Sequence, residues 1–320
     1  MSPTDILVLG SINTDLVVKG SRLPAAGETV VGGEFYQAPG GKGANQAVAA
    51  VRASRQIATR LIAAVGEDAF GRAALQYLEQ VGVHCDGVLS LPKVPSGVAL
   101  IMVDQQGQNC ISVASGANSR LSADHLDRLP EQVFANARVL LACLEAPLDI
   151  VHRGLQRAKA AGLITILDPA PADPRVATSE WLQYVDILTP NESEASLLVG
   201  ESVRDVPTAA EAGRRLNTLG CSQTVVTLGA GGCVLVSDRV THVPALSVRP
   251  VDATAAGDAF NGALAVALAE GRDLETACRW ASVAAGLSVT RTGAQPSLPT
   301  RQAIDAAIQD LDTNWVGEEV

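Results

Sequence analysis

Short apolar runs, separated by longer segments of mixed composition, recur along this 320-residue chain. Runs of four or five residues that end at polar or glycine positions are typical of strands buried on both faces of a parallel sheet. Ala-rich stretches between them, such as 45–53, are typical of helices packed on that sheet. The alternation predicts an α/β fold, a doubly wound and mostly parallel sheet flanked by helices. The apolar runs lie at 6–9, 61–65, 139–142, 164–167, 185–188, 224–227 and 233–236.

Two other regions predict a smaller sheet. Short β-like pieces within 17–37 are interrupted by proline and glycine, and the segments 97–103 and 109–113 alternate around a turn at Gly107. We expect these pieces to form a small β-sheet that covers the strand ends of the main sheet as a lid. No repeat or long linker interrupts the pattern, so we expect a single domain over residues 1–320. The predicted lid segments are about 16–38 and 96–114.

Polar or glycine residues follow the carboxyl ends of the predicted strands. Open α/β sheets bind their ligands in the crevice at these strand ends. We therefore expect a ligand site there. The segments that would form it are 11–15 (SINTD), Glu145, 168–172 (DPAPA), Asn191 and 227–232 (TLGAGG).

The segment 251–262 (VDATAAGDAFNG) is a small-residue loop that runs into a helix with an acid at its opening. Ala255, Ala256 and Gly257 let the backbone approach a ligand closely, and the first amides of a helix are free to hold an anion. Asp258 lies among those amides, where it can accept a proton from a substrate hydroxyl. The alternative interpretation is that Asp258 is an ordinary first-turn acid or helix N-cap.

The composition excludes several classes of function. The net charge of −10 argues against a nucleic-acid or anionic-membrane surface, which would need clustered Lys and Arg. Aromatic residues are only 3% of the chain, so the core is expected to be aliphatic. The six cysteines form no C-x-x-C pair, and no segment reaches membrane-spanning length. We expect a cytoplasmic protein with free thiols and small-molecule ligands.

Four ordered motifs carry a resemblance that runs nearly end to end. Together they are far more specific than any one of them, and on them the chain resembles the carbohydrate kinases related to phosphofructokinase B, within which it is most similar to the ribokinases. The resemblance implies an enzyme that uses ATP to phosphorylate the 5-hydroxyl of D-ribose, giving ribose 5-phosphate and ADP. The motifs are 10–15 (GSINTD), 40–46 (GGKGANQ), 189–194 (TPNESE) and 255–258 (AAGD).

The resemblance assigns the residues around the sugar. Asp258 is implied to be the catalytic base, with the backbone at Ala255, Ala256 and Gly257 as the anion hole. The segment 40–43 lacks the spacing of a P-loop, and the resemblance places it in the sugar pocket instead. Asn45 as a helix cap and Asp15 as a turn residue remain the alternative interpretations. The implied sugar contacts are Asn13, Asp15, Gly41, Lys42, Asn45, Glu145 and Asp258.

The resemblance also assigns nucleotide and cation positions. It implies that Glu194 belongs to a network around Mg²⁺, and that K⁺ activates the enzyme from loops beside the anion hole. The chain departs from the family pattern at Ala253, where Thr is common, and at Asp168, where some ribokinases have Asn. The implied ATP contacts are Asn191, Thr227, Leu228, Gly229, Ala230, Gly231, Gly232, Gly257 and Ser282, and the implied K⁺ positions are Asp252, Thr254, Ser288, Arg291, Gly293 and Ser297.

Other functions stay open at this stage. A kinase of the same family acting on 2-deoxyribose, a ketohexose or a nucleoside is the nearest alternative, although only Phe35 and Tyr36 of the lid offer an aromatic slot for a base. A dehydrogenase would need G-x-G-x-x-G after the first strand, which 10–15 does not supply. A non-catalytic sugar-binding regulatory protein would be expected to lack Asp258. The edges of an exposed lid sheet favour a homodimer formed through the lid.

Overall fold

The computed structural model describes residues 5–311 and 318–319. Its strands confirm the predicted class, and the single-domain prediction for 1–320 extends over residues outside these ranges. The strands are β1 (Asp5–Leu9), β2 (Asn13–Lys19), β3 (Glu34–Gly40), β4 (Thr59–Gly66), β5 (His84–Leu91), β6 (Gly97–Val103), β7 (Asn109–Ala114), β8 (Ala137–Cys143), β9 (Ile164–Asp168), β10 (Ile187–Leu188), β11 (Gln223–Thr227), β12 (Cys233–Val236), β13 (Val240–Val243) and β14 (Glu318–Glu319).

Helices fill most of the intervals between these strands. The helix predicted at 45–53 begins three residues earlier, at Lys42, so the glycine-rich motif runs directly into it. The helices are α1 (Lys42–Ala53), α2 (Ala69–Val81), α3 (Ala123–Arg128), α4 (Glu131–Ala135), α5 (Leu148–Ala160), α6 (Ser179–Leu182), α7 (Glu192–Val199), α8 (Val206–Thr218), α9 (Ala256–Ala269), α10 (Leu274–Ser288) and α11 (Arg301–Leu311).

The described residues form a main sheet with the strand order β14-β13-β12-β11-β10-β9-β8-β1-β4-β5. Pairing is parallel from β11 to β5, and β12, β13 and β14 join antiparallel. Sequence patterning missed β5 because this edge strand is largely polar and only partly buried. The run predicted at 185–188 pairs only at Ile187–Leu188.

Successive side chains of the central strand β1 enter two different helical layers, as the two-residue period of a strand requires. Ile6 and Val8 belong to the core cluster that contains side chains of α1, α9 and α10. Leu7 and Leu9 belong to the opposite cluster, with side chains of α5. The continuous apolar run therefore reflects a strand covered on both faces.

Helix α1 lies unusually close to its neighbours because glycines stand at the contacts. A Cβ built on Gly262 of α9 would lie 2.5 Å from the Cβ of Ala49 and 2.8 Å from the carbonyl oxygen of Gln46. At the start of α1, a Cβ on Gly43 would lie 2.5 Å from the amide nitrogen of Ser11. These glycines bring the opening turns of α1 onto both β1 and α9.

A second sheet has the strand order β3-β2-β6-β7 and confirms the predicted small β-sheet. Strand β2 pairs antiparallel with β3 and parallel with β6, and β6 and β7 form the predicted hairpin, with Gly107 at φ 79°. Only residues 10–12 separate β1 from β2. The end of the main sheet therefore continues directly into the small sheet, and a cleft forms where the two meet.

Replacing Gly262 with alanine is expected to lower the free energy of unfolding by about 1–3 kcal/mol, because the new methyl group overlaps α1. This is the net effect, after the gain of about 1 kcal/mol in helix propensity. Urea unfolding measures the change. Gly20→Ala is the control, since a Cβ there has its nearest neighbour at 3.6 Å. Coinciding unfolding curves for Gly262→Ala and the parent protein would contradict the close contact between α9 and α1.

Candidate active site

The topology places a site at the carboxyl ends of β1, β8 and β9. Strand β1 lies between β4 and β8, so the chain winds outward in opposite directions from this point, and such switch points form ligand crevices. Ser11 and Glu145 follow β1 and β8, and Asp168 ends β9. The crevice is therefore lined by residues from distant parts of the sequence.

Glu145 ties the β8 end to the opening of α1. Its Oε2 accepts a hydrogen bond from the backbone amide of Lys42 at 3.1 Å and another from the Ser11 hydroxyl. The carboxylate thus lies at the N-terminus of a helix, where a negative charge is favoured. Gly41, with φ 89°, precedes this helix, and a Cβ there would lie 2.6 Å from the amide nitrogen of Asn13.

Asn13 and Asp15 enter the cleft from β2, so the turn interpretation of Asp15 is wrong. The side chain of Asn118 donates to Asn13 Oδ1 at 2.8 Å and fixes its amide. Burial, reinforced by Glu145 and Asp258, raises the pKa of Asp15 to about 6. Burial and the two neighbouring acids therefore favour the protonated form of Asp15.

Asp258 is the third residue of α9, and Ala255, not Asp258, is the N-cap. Its Oδ2 accepts from Asn45 Nδ2 at 2.9 Å and its Oδ1 from Gln46 Nε2 at 3.2 Å. Asn45 therefore lies inside α1 and is not its cap. Burial raises the pKa of Asp258 against the opposing effects of Lys42 and the two amides.

The loop before α9 has the form of an anion cradle. Ala255 has φ 61°, a left-handed conformation that costs a non-glycine residue of the order of 1 kcal/mol. The first i to i−4 bond of the helix runs from the amide of Ala259 to Ala255 O at 2.8 Å, so the amides of Gly257 and Asp258 precede it. The amide of Ala256 donates to Ala253 O at 3.2 Å.

Lys42 supplies positive charge to the acids of the cleft. Burial opposes its charge, but Asp258, Asp168 and Glu145 outweigh this and hold the pKa of the Lys42 ammonium well above its ordinary value. Lys42 therefore remains a cation among these carboxylates.

Asp168 is a second buried acid close to Asp258. Gln46 Nε2 donates to Asp168 Oδ2 at 2.7 Å, and the same nitrogen donates to Asp258. Burial raises the pKa of Asp168 to about 8; Glu194 and Asp258 add to this, while Lys42 and Gln46 oppose it. The chain's departure at this position thus introduces a buried carboxyl group whose pKa is raised.

The predicted nucleotide residues lie at the ends of β10 to β12. Asn191 forms a bridge with Thr227, the last residue of β11, and a 3₁₀ turn at Gly229–Gly231 follows. Gly232 has φ 87°, and a Cβ there would lie 2.0 Å from Val243 O, so only glycine fits. Ser282 reaches the start of β12 from α10, with its Oγ 3.7 Å from Cys233 Sγ.

Asn191 and Glu194 also form a capping box at the start of α7. Asn191 Oδ1 accepts from the Glu194 amide, and Glu194 Oε2 accepts from the Asn191 amide, both at 2.9 Å. Both residues therefore stabilise the start of α7. The motif at 189–194 predicted only binding roles for them.

The predicted K⁺ loops lie next to one another. Asp252 Oδ1 accepts from the amide and hydroxyl of Thr254, and its Oδ2 accepts from the Gly293 amide at 2.8 Å. Ser288 O accepts from the Arg291 amide at 3.1 Å, and Ser297 Oγ donates to Ala294 O at 2.8 Å. Partial burial opposes the charge of Asp252, but the hydrogen bonds from Thr254 and Gly293 outweigh it and lower the pKa of Asp252.

The geometry agrees with the comparison with known protein families. Residues 3–301 match the model of the pfkB family carbohydrate kinases. The chain belongs to this family. As a pfkB family kinase it is a phosphotransferase, which confirms the enzyme class that the motifs imply.

The relatives of this pfkB family kinase include enzymes that are named for two different sugars. The ribokinase of Haemophilus influenzae is 40% identical over 299 residues, 93% of this chain and 96% of the relative. The deoxyribokinase of Salmonella typhi is 35% identical over 297 residues, 92% and 96% of the two chains. The structure of Arabidopsis thaliana ribokinase complexed with ribose and ATP matches with a TM-score of 0.86 at 34% identity, over 97% of this chain and 99% of that one.

Several residues of this pfkB family kinase site were not singled out from the sequence. Ser11, Gln46, Asn118 and Gln295 hold predicted site residues by direct hydrogen bonds. Ser11 lies within the motif 10–15 and Gln46 within the motif 40–46, so their position in these motifs could have marked them as site residues. Asn118 and Gln295 contact residues more than 100 positions away, so only the fold reveals them.

Asp168 is expected to make the stability of the ligand-free protein fall as pH rises from about 4 to about 8. Its pKa rises from 3.8 to about 8 on folding, so over this range the folded protein binds more protons than the unfolded chain. Asp168→Asn removes this titration, so the free energy of unfolding should fall less with rising pH than in the parent protein, by more than about 1 kcal/mol. Urea unfolding at pH 5 and pH 8.5 measures it.

The exposed Asp124 supplies the control, since its side chain is 83% accessible. Asp124→Asn should leave the decline unchanged. A decline of equal size in Asp168→Asn and the parent protein would show that Asp168 does not bind the extra proton.

Proposed function

We propose that this enzyme transfers the γ-phosphoryl group of ATP to the 5-hydroxyl of D-ribose. The observation that carries the proposal is the place of Asp258 at the opening of α9. Asn13, Asp15, Lys42 and Glu145 approach from one side, where a polyhydroxylated ligand would find carboxylate and amide partners. The resemblance to ribokinases, including one solved with ribose and ATP, supports this choice of substrates.

The residues suggest a direct displacement. Asp258 accepts the proton of the sugar hydroxyl as its oxygen attacks the γ-phosphorus, and the bond between that phosphorus and the bridging oxygen of ADP breaks. The amides of Gly257 and Asp258 and the ammonium group of Lys42 stabilise the negative charge that develops on the phosphoryl group. Closure of the small sheet over the sugar would exclude water and prevent hydrolysis of ATP.

The nucleotide is proposed to arrive with Mg²⁺ and to lie along Asn191, residues 227–232 and Ser282. Within residues 5–311, no three His, Cys, Asp or Glu side chains form a group able to hold a metal ion. Mg²⁺ at kinase sites is held by the phosphates, waters and one or two carboxylates, and the partly buried Glu194 suits that part. Burial raises the pKa of Glu194, and a nearby Mg²⁺ would favour its ionised form.

The loops around Asp252 are proposed to bind an activating K⁺. Their oxygen donors are backbone carbonyls, the Asp252 carboxylate and the Ser297 hydroxyl, which suit a hard monovalent cation. Asp252 is joined to both Thr254 and Gly293, so an ion there would order the loop before α9. Equal turnover in Na⁺ and K⁺ would count against this site.

Two sugars are candidates for the phosphoryl acceptor. A deoxyribokinase is among the relatives, so 2-deoxyribose is the second candidate substrate. A nucleoside base would find at most one of the two lid aromatics beside it. The β2–β3 register places Phe35 opposite Val18, on the face that is turned away from Asp15, and Tyr36 opposite Val17, on the face that carries Asp15. The presence of Asp258 with two amide donors also favours catalysis over a regulatory sugar-binding role.

We also propose a homodimer that forms through the small sheet, because the outer face of this sheet is apolar. The register aligns Phe35, Val18 and Met102 across three strands, and Leu100 lies two residues from Met102 on the same face. The relative exposures of these four residues are 61%, 41%, 37% and 55%. An apolar face of this kind, next to the unpaired edges of β3 and β7, suits a second copy of the chain.

The cellular location is proposed to be the cytoplasm, where thiols stay reduced. All six cysteines are free, and four of them are buried. No helix among the described residues has both the length and the hydropathy needed to cross a membrane.

Asp258→Asn is expected to lower kcat at least a thousandfold, because the amide cannot accept the hydroxyl proton. ADP release from MgATP in K⁺ buffer is measured with D-ribose, 2-deoxyribose, fructose and adenosine, one at a time. Asp124→Asn, an exposed acid on α3, should retain full activity. Turnover with another sugar alone would change the proposed substrate, and no turnover with any sugar would favour a binding protein.

Leu100→Lys is expected to convert a dimer into a monomer, because it places a charge in the outer apolar face of the small sheet. Sedimentation velocity at micromolar concentration measures the change. Leu197→Lys on α7 is the matched control, since Leu197 is 49% exposed and lies outside the small sheet. A monomeric parent protein would contradict the dimer, and a dimeric Leu100→Lys would move the interface elsewhere.

A further inference from the structure

Asp258 is the end of a chain of buried amides that begins at Gln295. Gln295 Nε2 donates to Asn45 Oδ1 at 3.0 Å, and Asn45 Nδ2 donates in turn to Asp258 Oδ2 at 2.9 Å. The exposures of the three residues are 0%, 7% and 4%. Because the Asn45 amide accepts at its oxygen and donates at its nitrogen, the two hydrogen bonds polarise each other.

Gln295 and Asp258 together fix the Asn45 amide. Asn45 presents its oxygen to the Gln295 donor and its nitrogen to the Asp258 carboxylate. Without the Gln295 donor, the buried Asn45 oxygen loses its partner and only the bond to Asp258 orients the amide, so the amide is free to rotate away from Asp258. The Oε1 atom of Gln295 has no hydrogen-bond partner among the described residues. A buried amide that leaves its own acceptor unpaired is retained at a cost, which suggests that its donor is needed.

Gln295 is itself held in place from α1. Arg52 Nη1 donates to the backbone oxygens of Gln295 and Leu298, at 2.6 Å and 3.0 Å. Arg52 lies seven residues after Asn45, two helical turns along the same face. Helix α1 therefore contacts the 3₁₀ turn Gln295–Ser297 at two points. Asn45 binds the side chain of Gln295, and Arg52 binds its backbone oxygen.

The same turn borders the segment proposed to bind K⁺. The amide of Gly293, two residues before Gln295, donates to Asp252 Oδ2 at 2.8 Å. A displacement of residues 293–297 would therefore move the donor that fixes Asn45. A continuous path of named hydrogen bonds joins this segment to Asp258.

We propose that Gln295 is a positioning residue for the base, which orients the Asn45 amide towards Asp258 and couples the base to the segment 293–297. Gln295 itself does not touch the substrate. The proposal deepens the proposed kinase function and rests on it for the kinetic part of its test.

The proton affinity of Asp258 reports on this arrangement. The Asn45 hydrogen bond lowers the pKa of Asp258, so loss of the bond must raise it. The other groups that act on Asp258 are unchanged by a substitution at Gln295. The charged groups facing it are Lys42 from α1, Asp15 from β2, Glu145 after β8, Asp168 from β9 and Glu194 from α7.

The test replaces Gln295 with methionine, which keeps the length of the side chain and removes the donor. We expect kcat to fall roughly tenfold or more, with less than about a threefold change in KM for the sugar or ATP. The acid limb of the kcat profile should move to higher pH by roughly half a unit or more. Gln302→Met, the same change at an exposed position of α11, is the control and should match the parent protein.

A second variant and a second readout keep the test independent of folding and of the substrate. Arg52→Lys releases the two carbonyl contacts while Gln295 remains, and a smaller shift of the limb in the same direction is expected. In the ligand-free protein, a higher Asp258 pKa should make stability fall more steeply between pH 5 and pH 8 in Gln295→Met than in the parent protein.

An acid limb and a stability slope that stay in place in both variants would overturn the proposal, even if the variants are less stable. If the parent protein turns over no sugar, the proposed function fails, and the stability slope alone then decides whether Gln295 positions Asp258.

Discussion

The structure depends on the burial of several carboxylates around the ammonium group of Lys42. Asp258, Asp168 and Glu145 all act on Lys42, and Asp15 is close enough for Glu145 and Asp258 to raise its pKa. Buried charges of one sign are costly unless cations, helix N-termini or amide donors compensate them. Helix α1 supplies all three kinds of compensation from its first two turns: Lys42 itself, the helix N-terminus, and the amides of Asn45 and Gln46.

The close packing of α1 follows from this requirement. Its opening turns can reach acids from β2, the β8 end, β9 and α9 only if the helix approaches the ends of the strands and α9 together. Gly43 permits the contact with the chain after β1, and Gly262 permits the contact with α9. The same glycines that set the packing therefore set the distances from Asn45 and Gln46 to Asp258. The stability of the fold and the geometry of the candidate site depend on the same contacts.

The charges of the buried acids in the cleft are only partly compensated, and this suits a site for a sugar. The pKa values of Asp15, Asp168 and Asp258 are all raised, because burial outweighs the ammonium and amide partners that Asp168 and Asp258 have in the free protein. Hydroxyl groups of a bound sugar can donate the missing hydrogen bonds, and a sugar that lacks one of them would leave a buried acceptor unpaired. Asp168 is distinct because it shares the Gln46 nitrogen with Asp258, so its charge state acts on Asp258 through a common donor.

The sequence by itself determined the α/β class, most strands of the main sheet, the small second sheet and the kinase family, because apolar periodicity and ordered motifs are local properties of the chain. It also placed Asp258 in the first turn of a helix. It did not show the partly polar edge strand β5, whose pattern is weak because one side of the strand has no neighbour. Only the tertiary structure decided that Asn45 lies inside α1 and not at its cap, that Gln46 joins two acids, and that Asn118 and Gln295 hold Asn13 and Asn45 across more than 100 residues. Such contacts depend on the distance between helices and strands, which is set by packing over the whole fold and leaves no local pattern.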